Sequence, residues 1–329
     1  MAYENFENGI IESFGRDVQD KKIDPTIVDL KVGDAQKKYQ EYIKKVIKLR
    51  PREFFIESIP EAASRDEFFK MAFYLVLQIF GKEFLPEFSE LVRDKLYVSD
   101  SREILEGISL QLIEKDNPTN IKRAIEIPDF DHISSIIALL HEYTHYHCQL
   151  MKMDYNQKRY YEEILSIYVE KRATELLSQI LFNPRLQQMI SETRLEAIAW
   201  HYDTHEKEIK EFLEEVDTIK KVAKIHPLGA LQLMSYEQQI PWIKTPATIR
   251  TAEQYRKNLA TSYGLGYLYS EALMARFRDD ELRTNVKVGE TLSGDLSLQG
   301  LLDYFGINAN NDEVYAIADK SLEKVRKNK

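Results

Sequence analysis

Apolar positions three and four residues apart recur over most of this chain and forecast a series of helices. The spacing predicts one over 35–49 (AQKKYQEYIKKVIKL), closed by Pro51. A buried one follows over 66–80, where Met71 to Phe80 is apolar apart from one Gln and Gly81 supplies the stop. A third is expected from Pro86 to about Leu96. The period then changes. Ile108 to Pro128 alternates apolar and polar residues on both sides of Asn117-Pro118-Thr119-Asn120, which predicts a β-hairpin. Helical spacing returns over 134–151 (SSIIALLHEYTHYHCQLM), with Asp131 or Ser134 as its cap, and again over 160–182, stopped before Pro184. Polar residues around Asp154 turn the chain between these two helices, so they should run antiparallel. A charged helical stretch is expected over 185–225 and a further helical stretch, with Tyr263, Tyr267 and Tyr269, over 247–278, and the basic end from Lys320 to Lys329 is expected to fray.

This pattern reads as a mainly α fold with a small β-hairpin or sheet beside one central helix. It divides into an N-terminal helical region over 1–105 and a second region over 106–329, or else forms a single two-lobed domain.

Composition narrows the classes of function. A hydrophobic fraction of 43% with 30% charged residues over 329 positions excludes disorder as the main state. The ten-residue apolar run at 71–80 is half the length of a bilayer-spanning helix, about 20 residues, so no membrane partner is expected. The acidic start lacks a secretory signal, which points to the cytoplasm. Forty-five Lys and Arg against fifty-four Asp and Glu, with no basic stripe interleaved with aromatics, makes nucleic acid an unexpected partner. Cys148 is the single cysteine, so neither an internal disulfide nor a four-cysteine site can form. Any metal must be held by His and carboxylate.

The candidate chemistry lies in His141-Glu142-Tyr143-Thr144-His145, an HExxH motif inside the helix predicted over 134–151. Two histidines four residues apart share a helical face, so their imidazoles can converge on one ion. Glu142 lies about 100 degrees round from His141, placed to touch a water beside that ion without being a ligand. Catalytic zinc with two His needs one further carboxylate and keeps a fourth position open. Helix phase returns the chain to the level of the histidines between residues 163 and 170, which makes Glu163 and Glu170 the candidates. Glu170 is preferred, because Ile167, Ala173, Thr174 and Leu177 surround it on its own face and an unpaired carboxylate there would be costly. Glu163 stays open as the alternative third ligand.

On these residues the chain resembles the gluzincins, the zincins whose third ligand is a glutamate. The fuller resemblance is to the thimet oligopeptidase and oligoendopeptidase F family, through DHISSIIALLHEYTH, the later helix IYVEKRATELL and the tyrosine-rich Tyr263-Gly-Leu-Gly-Tyr267-Leu-Tyr269. The resemblance implies a zincin-like metalloprotease fold, zinc held by His141, His145 and Glu170, and a transition-state hydroxyl from Tyr267 or Tyr263. It implies a peptide or oligopeptide substrate. Three positions depart from the family. Thr144 stands where Gly is usual, and Cys148 occupies the place of a further His. Leu177 stands where a second carboxylate follows the ligand by seven residues.

Other chemistry-bearing residues read more simply. His147 is two residues from His145 and faces away from it, and Cys148 serves as a small buried hydrophobe. His201 and His205 repeat the four-residue spacing on a charged, solvated helix. His226, before Pro227, sits at a loop boundary from which an oxyanion can be reached, so it joins the tyrosines as a candidate. The strand near Ile125 to Ile127 is the expected holder of substrate backbone. The whole reads as a zinc metallopeptidase with Glu142 as general base. The alternative is a non-enzymatic, zincin-like protein that binds a peptide or partner. Oligomeric state and cleavage preference are not encoded in any motif of the chain.

Overall fold

The computed structural model describes residues 34–48, 61–62, 64–98, 107–113, 121–148, 155–202, 206–222, 224–225, 262–275 and 312–327. The helices are α1 (Asp34–Lys48), α2 (Arg65–Ile79), α3 (Leu85–Asp94), α4 (Ile133–Cys148), α5 (Tyr155–Ile180), α6 (Arg185–Tyr202), α7 (Glu206–Val222), α8 (262–275) and α9 (Asp312–Lys327). The strands are β1 (Leu96–Val98), β2 (Ile108–Ile113) and β3 (Ile121–Ile127). Among the described residues the chain is therefore mainly helical, with one small sheet.

Local chemistry explains the ends of these elements. Ser64 accepts the Glu67 amide at 3.2 Å and opens α2, and Gly81, at φ 104°, closes it in a backbone region that other residues rarely enter. The entry to α4 is held by Asp129 rather than by Asp131 or Ser134. Its Oδ1 accepts the Asp131 and His132 amides at 2.8 Å each and the Ser135 hydroxyl at 3.1 Å.

The sheet runs β1-β3-β2, with β1 parallel and β2 antiparallel to β3. The predicted hairpin strands are present, and its turn residues lie outside the described residues. Strand β1 was not expected. Three residues carry too little alternation to announce a strand, and β1 exists because β3 offers it an edge, with Leu96 opposite Ile125. This addition corrects the expected role of Ile125–Ile127. Those residues are paired on both sides, up to Glu126 by β2 and throughout by β1, so among the described residues the outer strands on which a guest could add are β1 and β2.

One buried cluster joins residues from both sides of position 105. Phe68, Leu75, Phe80 and Phe88 from the first part meet Ile136, Leu140, Tyr143, Ile167 and Tyr168 from the second. Helices α4 and α5 pack along one another at its centre, with α2 against α4 and α1 against α6. The expectation of a frayed basic end is also corrected, since α9 continues to Lys327. Val314, Ala318 and Leu322, at four-residue spacing, are buried, and Lys38 and Lys45 of α1 pair with Asp312 and Asp319. Among the described residues no helix is long and apolar enough to cross a membrane.

Candidate metal centre

Helix α4 turns its apolar residues into the core and carries the HExxH face toward α5. The ring nitrogens His141 Nε2 and His145 Nε2 lie 3.1 Å apart. Above them sits the Glu163 carboxylate of α5, with Oε2 at 3.6 Å from His141 Nε2 and Oε1 at 3.6 Å from His145 Nε2. One donor atom from each of these three residues lies within 4.8 Å of the other two. A tetrahedral site with metal–ligand bonds of 2.0–2.2 Å has donor–donor edges of about 3.4 Å, so the two histidine nitrogens and the straddling carboxylate fit a small divalent cation. The donor set, two nitrogens and a carboxylate, suits zinc.

The carboxylate set against both Nε2 atoms is that of Glu163, the alternative left open by the sequence, rather than that of the preferred Glu170. Glu170 lies on the far side of His141, with Oε2 3.2 Å from Nδ1. Arg194 of α6 grips the same carboxylate, its Nε donating to Oε1 at 3.3 Å and its Nη2 to Oε2. Burial alone would push the Glu170 carboxyl up. The Arg194 guanidinium, and then the bond to His141, overcome this and hold it down to about 2. Ionised Glu170 can only accept, so the proton on His141 sits at Nδ1 and the Nε2 lone pair is left facing His145 and Glu163. Burial also lowers the pKa of His141, against the pull of Glu170, which favours the neutral ring a metal requires.

Glu142 is buried. A Cβ built on Gly107 would come within 2.6 Å of Glu142 Cγ and 3.2 Å of the Glu126 carbonyl, so the Glu142 side chain lies directly against the backbone leading into β2. The side chain of Glu142, next in sequence to His141, therefore abuts the start of β2.

The remaining candidates separate. Tyr263 is half-buried with its ring 5.2 Å from the Arg194 guanidinium, which joins it to the sequence Arg194, Glu170, His141. Tyr267 does not fit the expected oxyanion role. Its ring lies under the Lys171 ammonium, 3.5 Å from the centroid, and its hydroxyl is sealed from solvent facing Ser191 and Ser321. Burial first, and the charge of Glu271 second, raise its pKa. Tyr269 is buried beside Tyr315 of α9. His226 and His205, and the side chains of His201 and Cys148, lie outside the described residues. His147 does face away, ringed by Phe84, Tyr143 and Tyr146, with Glu87 3.7 Å distant. Burial, and then Arg123, lower its pKa to about 4.

Arg194 was not singled out from the sequence, yet a signal for it exists. It occupies the buried stripe Ile190, Arg194, Ile198 of α6, and a cation on an apolar stripe demands a buried carboxylate partner. No family model, curated protein or solved structure matches the chain.

Proposed function

We propose that this protein is a zinc-dependent metallopeptidase with a zincin-like arrangement, in which His141, His145 and Glu163 hold the metal and Glu142 is the general base. The observation that carries the reading is the meeting of two imidazole Nε2 atoms and the Glu163 carboxylate, on a helix that also places Glu142 next to an outer strand. The family resemblance supports it in one further respect. The second carboxylate seen seven residues after the ligand in that family is absent if the ligand is Glu170, but it is present if the ligand is Glu163, because Glu170 then occupies that place.

When bound, zinc supplies Lewis acidity, acidifying water and polarising a carbonyl. Glu142 takes the proton of the attacking water on its carboxylate and returns it to the departing amine nitrogen. Glu170 keeps the His141 proton at Nδ1, and Arg194 keeps Glu170 ionised and oriented. The backbone of β2 next to Gly107 holds an extended peptide by strand addition, which brings its scissile bond alongside Glu142. Of the two tyrosines, Tyr263 is the better candidate for the oxyanion, because its ring contacts Arg194 and is half-buried whereas the Tyr267 hydroxyl is sealed.

The test is Glu142→Gln, compared with the unaltered protein on a mixed peptide substrate with and without chelator. Cleavage should be chelator-sensitive and fall by about 10²–10⁴-fold in the variant, with one zinc per chain and the fold retained. A protein that binds one zinc and cleaves no peptide in any of these samples would instead be the non-enzymatic binding protein.

A further inference from the structure

The motif Tyr263-Gly-Leu-Gly-Tyr267 drew notice for its tyrosines, but its glycines make the closer contacts. A Cβ on Gly266 would lie 2.7 Å from the backbone oxygen of Glu163, 2.9 Å from its carbonyl carbon and 2.7 Å from Ile167 Cδ1. Helix α8 therefore rests on the main chain of the same residue that offers the third donor to the histidine pair. A second contact runs from α8 through the Tyr263 ring to Arg194, and so to Glu170 and His141. A third is the partly buried ion pair of Lys171 on α5 with Glu271 on α8. Gly264, two residues away, faces elsewhere: its nearest obstacles are Ile43 Cδ1 at 2.5 Å and Tyr39 Oη at 2.6 Å, both on α1.

We infer that α8 positions the metal ligand Glu163, and that Gly266 is the positioning residue through which it does so. The inference rests on the metal site proposed above. Backbone cannot swing aside as a side-chain end can, so a methyl group at 266 must displace either α8 or the Glu163 main chain. The donor carboxylate moves with that main chain, away from a pair of nitrogens whose own spacing α4 fixes. A methyl group at 264 meets only the ends of two side chains, which can turn away without disturbing α5.

Zinc affinity, measured by competition with a chromophoric chelator, tests this in the unaltered protein, Gly266→Ala, Gly264→Ala, Glu163→Ala and the double variant Glu163→Ala/Gly266→Ala. Gly266→Ala should bind zinc about 10–100-fold more weakly, the range found when the support of a ligand is disturbed. Gly264→Ala should bind as the unaltered protein does. In the Glu163→Ala background, Gly266→Ala should have no further effect, an outcome that a general loss of structure would not produce. Hydrogen exchange of the unaltered protein gives a second measurement independent of any variant's folding, and zinc should slow exchange in 262–275 together with the segment around 163. Equal zinc affinity in Gly266→Ala, or zinc protection confined to α4 and α5, overturns the inference while leaving the metal site standing. Failure of the unaltered protein to bind zinc overturns both.

Discussion

Glu163 and Glu170 stand on one face of one helix, two turns and about 10.5 Å apart, and both address His141. They differ in what else surrounds them. Glu170 is sealed at 1% exposure and gripped by Arg194, so its charge is already neutralised and its proton affinity low. Glu163 is partly open and faces both ring nitrogens. On the proposed reading the deeper carboxylate supports and the shallower one coordinates. On that reading burial alone is a poor guide to a metal ligand, because a carboxylate with a protein cation has no need of a metal, whereas one beside two lone pairs does.

The contrast can be broken by exchanging the effects of the two residues. The largest loss is expected from Glu163→Ala, which should weaken zinc binding by more than about 100-fold, beyond the range for supporting residues, and leave no measurable peptide cleavage. Its metal-free melting temperature should stay close to that of the unaltered protein. Arg194→Met should do the opposite. It strands a buried carboxylate, and denaturant unfolding of the metal-free protein should show a loss of about 3–5 kcal/mol. Glu170→Gln, which keeps the shape but frees the tautomer of His141, should weaken zinc binding by about 10–100-fold in the same chelator competition. A result in which Glu170→Gln abolishes binding and Glu163→Ala spares it would reverse the assignment.

The mildest test is acid. The Glu170 carboxyl lies near 2 in the folded chain and near 4.3 in the unfolded one, so its contribution is complete above about 4.3 and fades as pH falls toward 2. His147, lowered to about 4, acts in the same sense from about 6.5 downward, because the unfolded chain takes up the proton first. Metal-free stability followed by chemical denaturation should thus decline in two stages on acidification. Arg194→Met should lose the lower stage and keep the upper.

Much of this was legible along the chain. The helices α1 to α5 and both hairpin strands follow from local period, and the HExxH face follows from the four-residue spacing of His141 and His145. What escaped was long-range. Strand β1 exists through its pairing with β3, and the terminal helix α9 is held by α1, more than 260 residues earlier. The pairing of Glu170 with Arg194 crosses two helices, and no helical period can report which of two carboxylates on a stripe meets a cation from elsewhere.

The sequence by itself determined that α4 is a helix, that His141 and His145 share its face, that Glu142 flanks them, and that a carboxylate from α5 returns to their level. These are consequences of a fixed rotation and rise per residue. Tertiary structure alone decided which carboxylate meets both ring nitrogens, which is answered by Arg194, and which glycine lets α8 touch the main chain of Glu163. Each of those is a meeting of side chains from separate elements, and its outcome depends on the relative placement of helices, which packing sets.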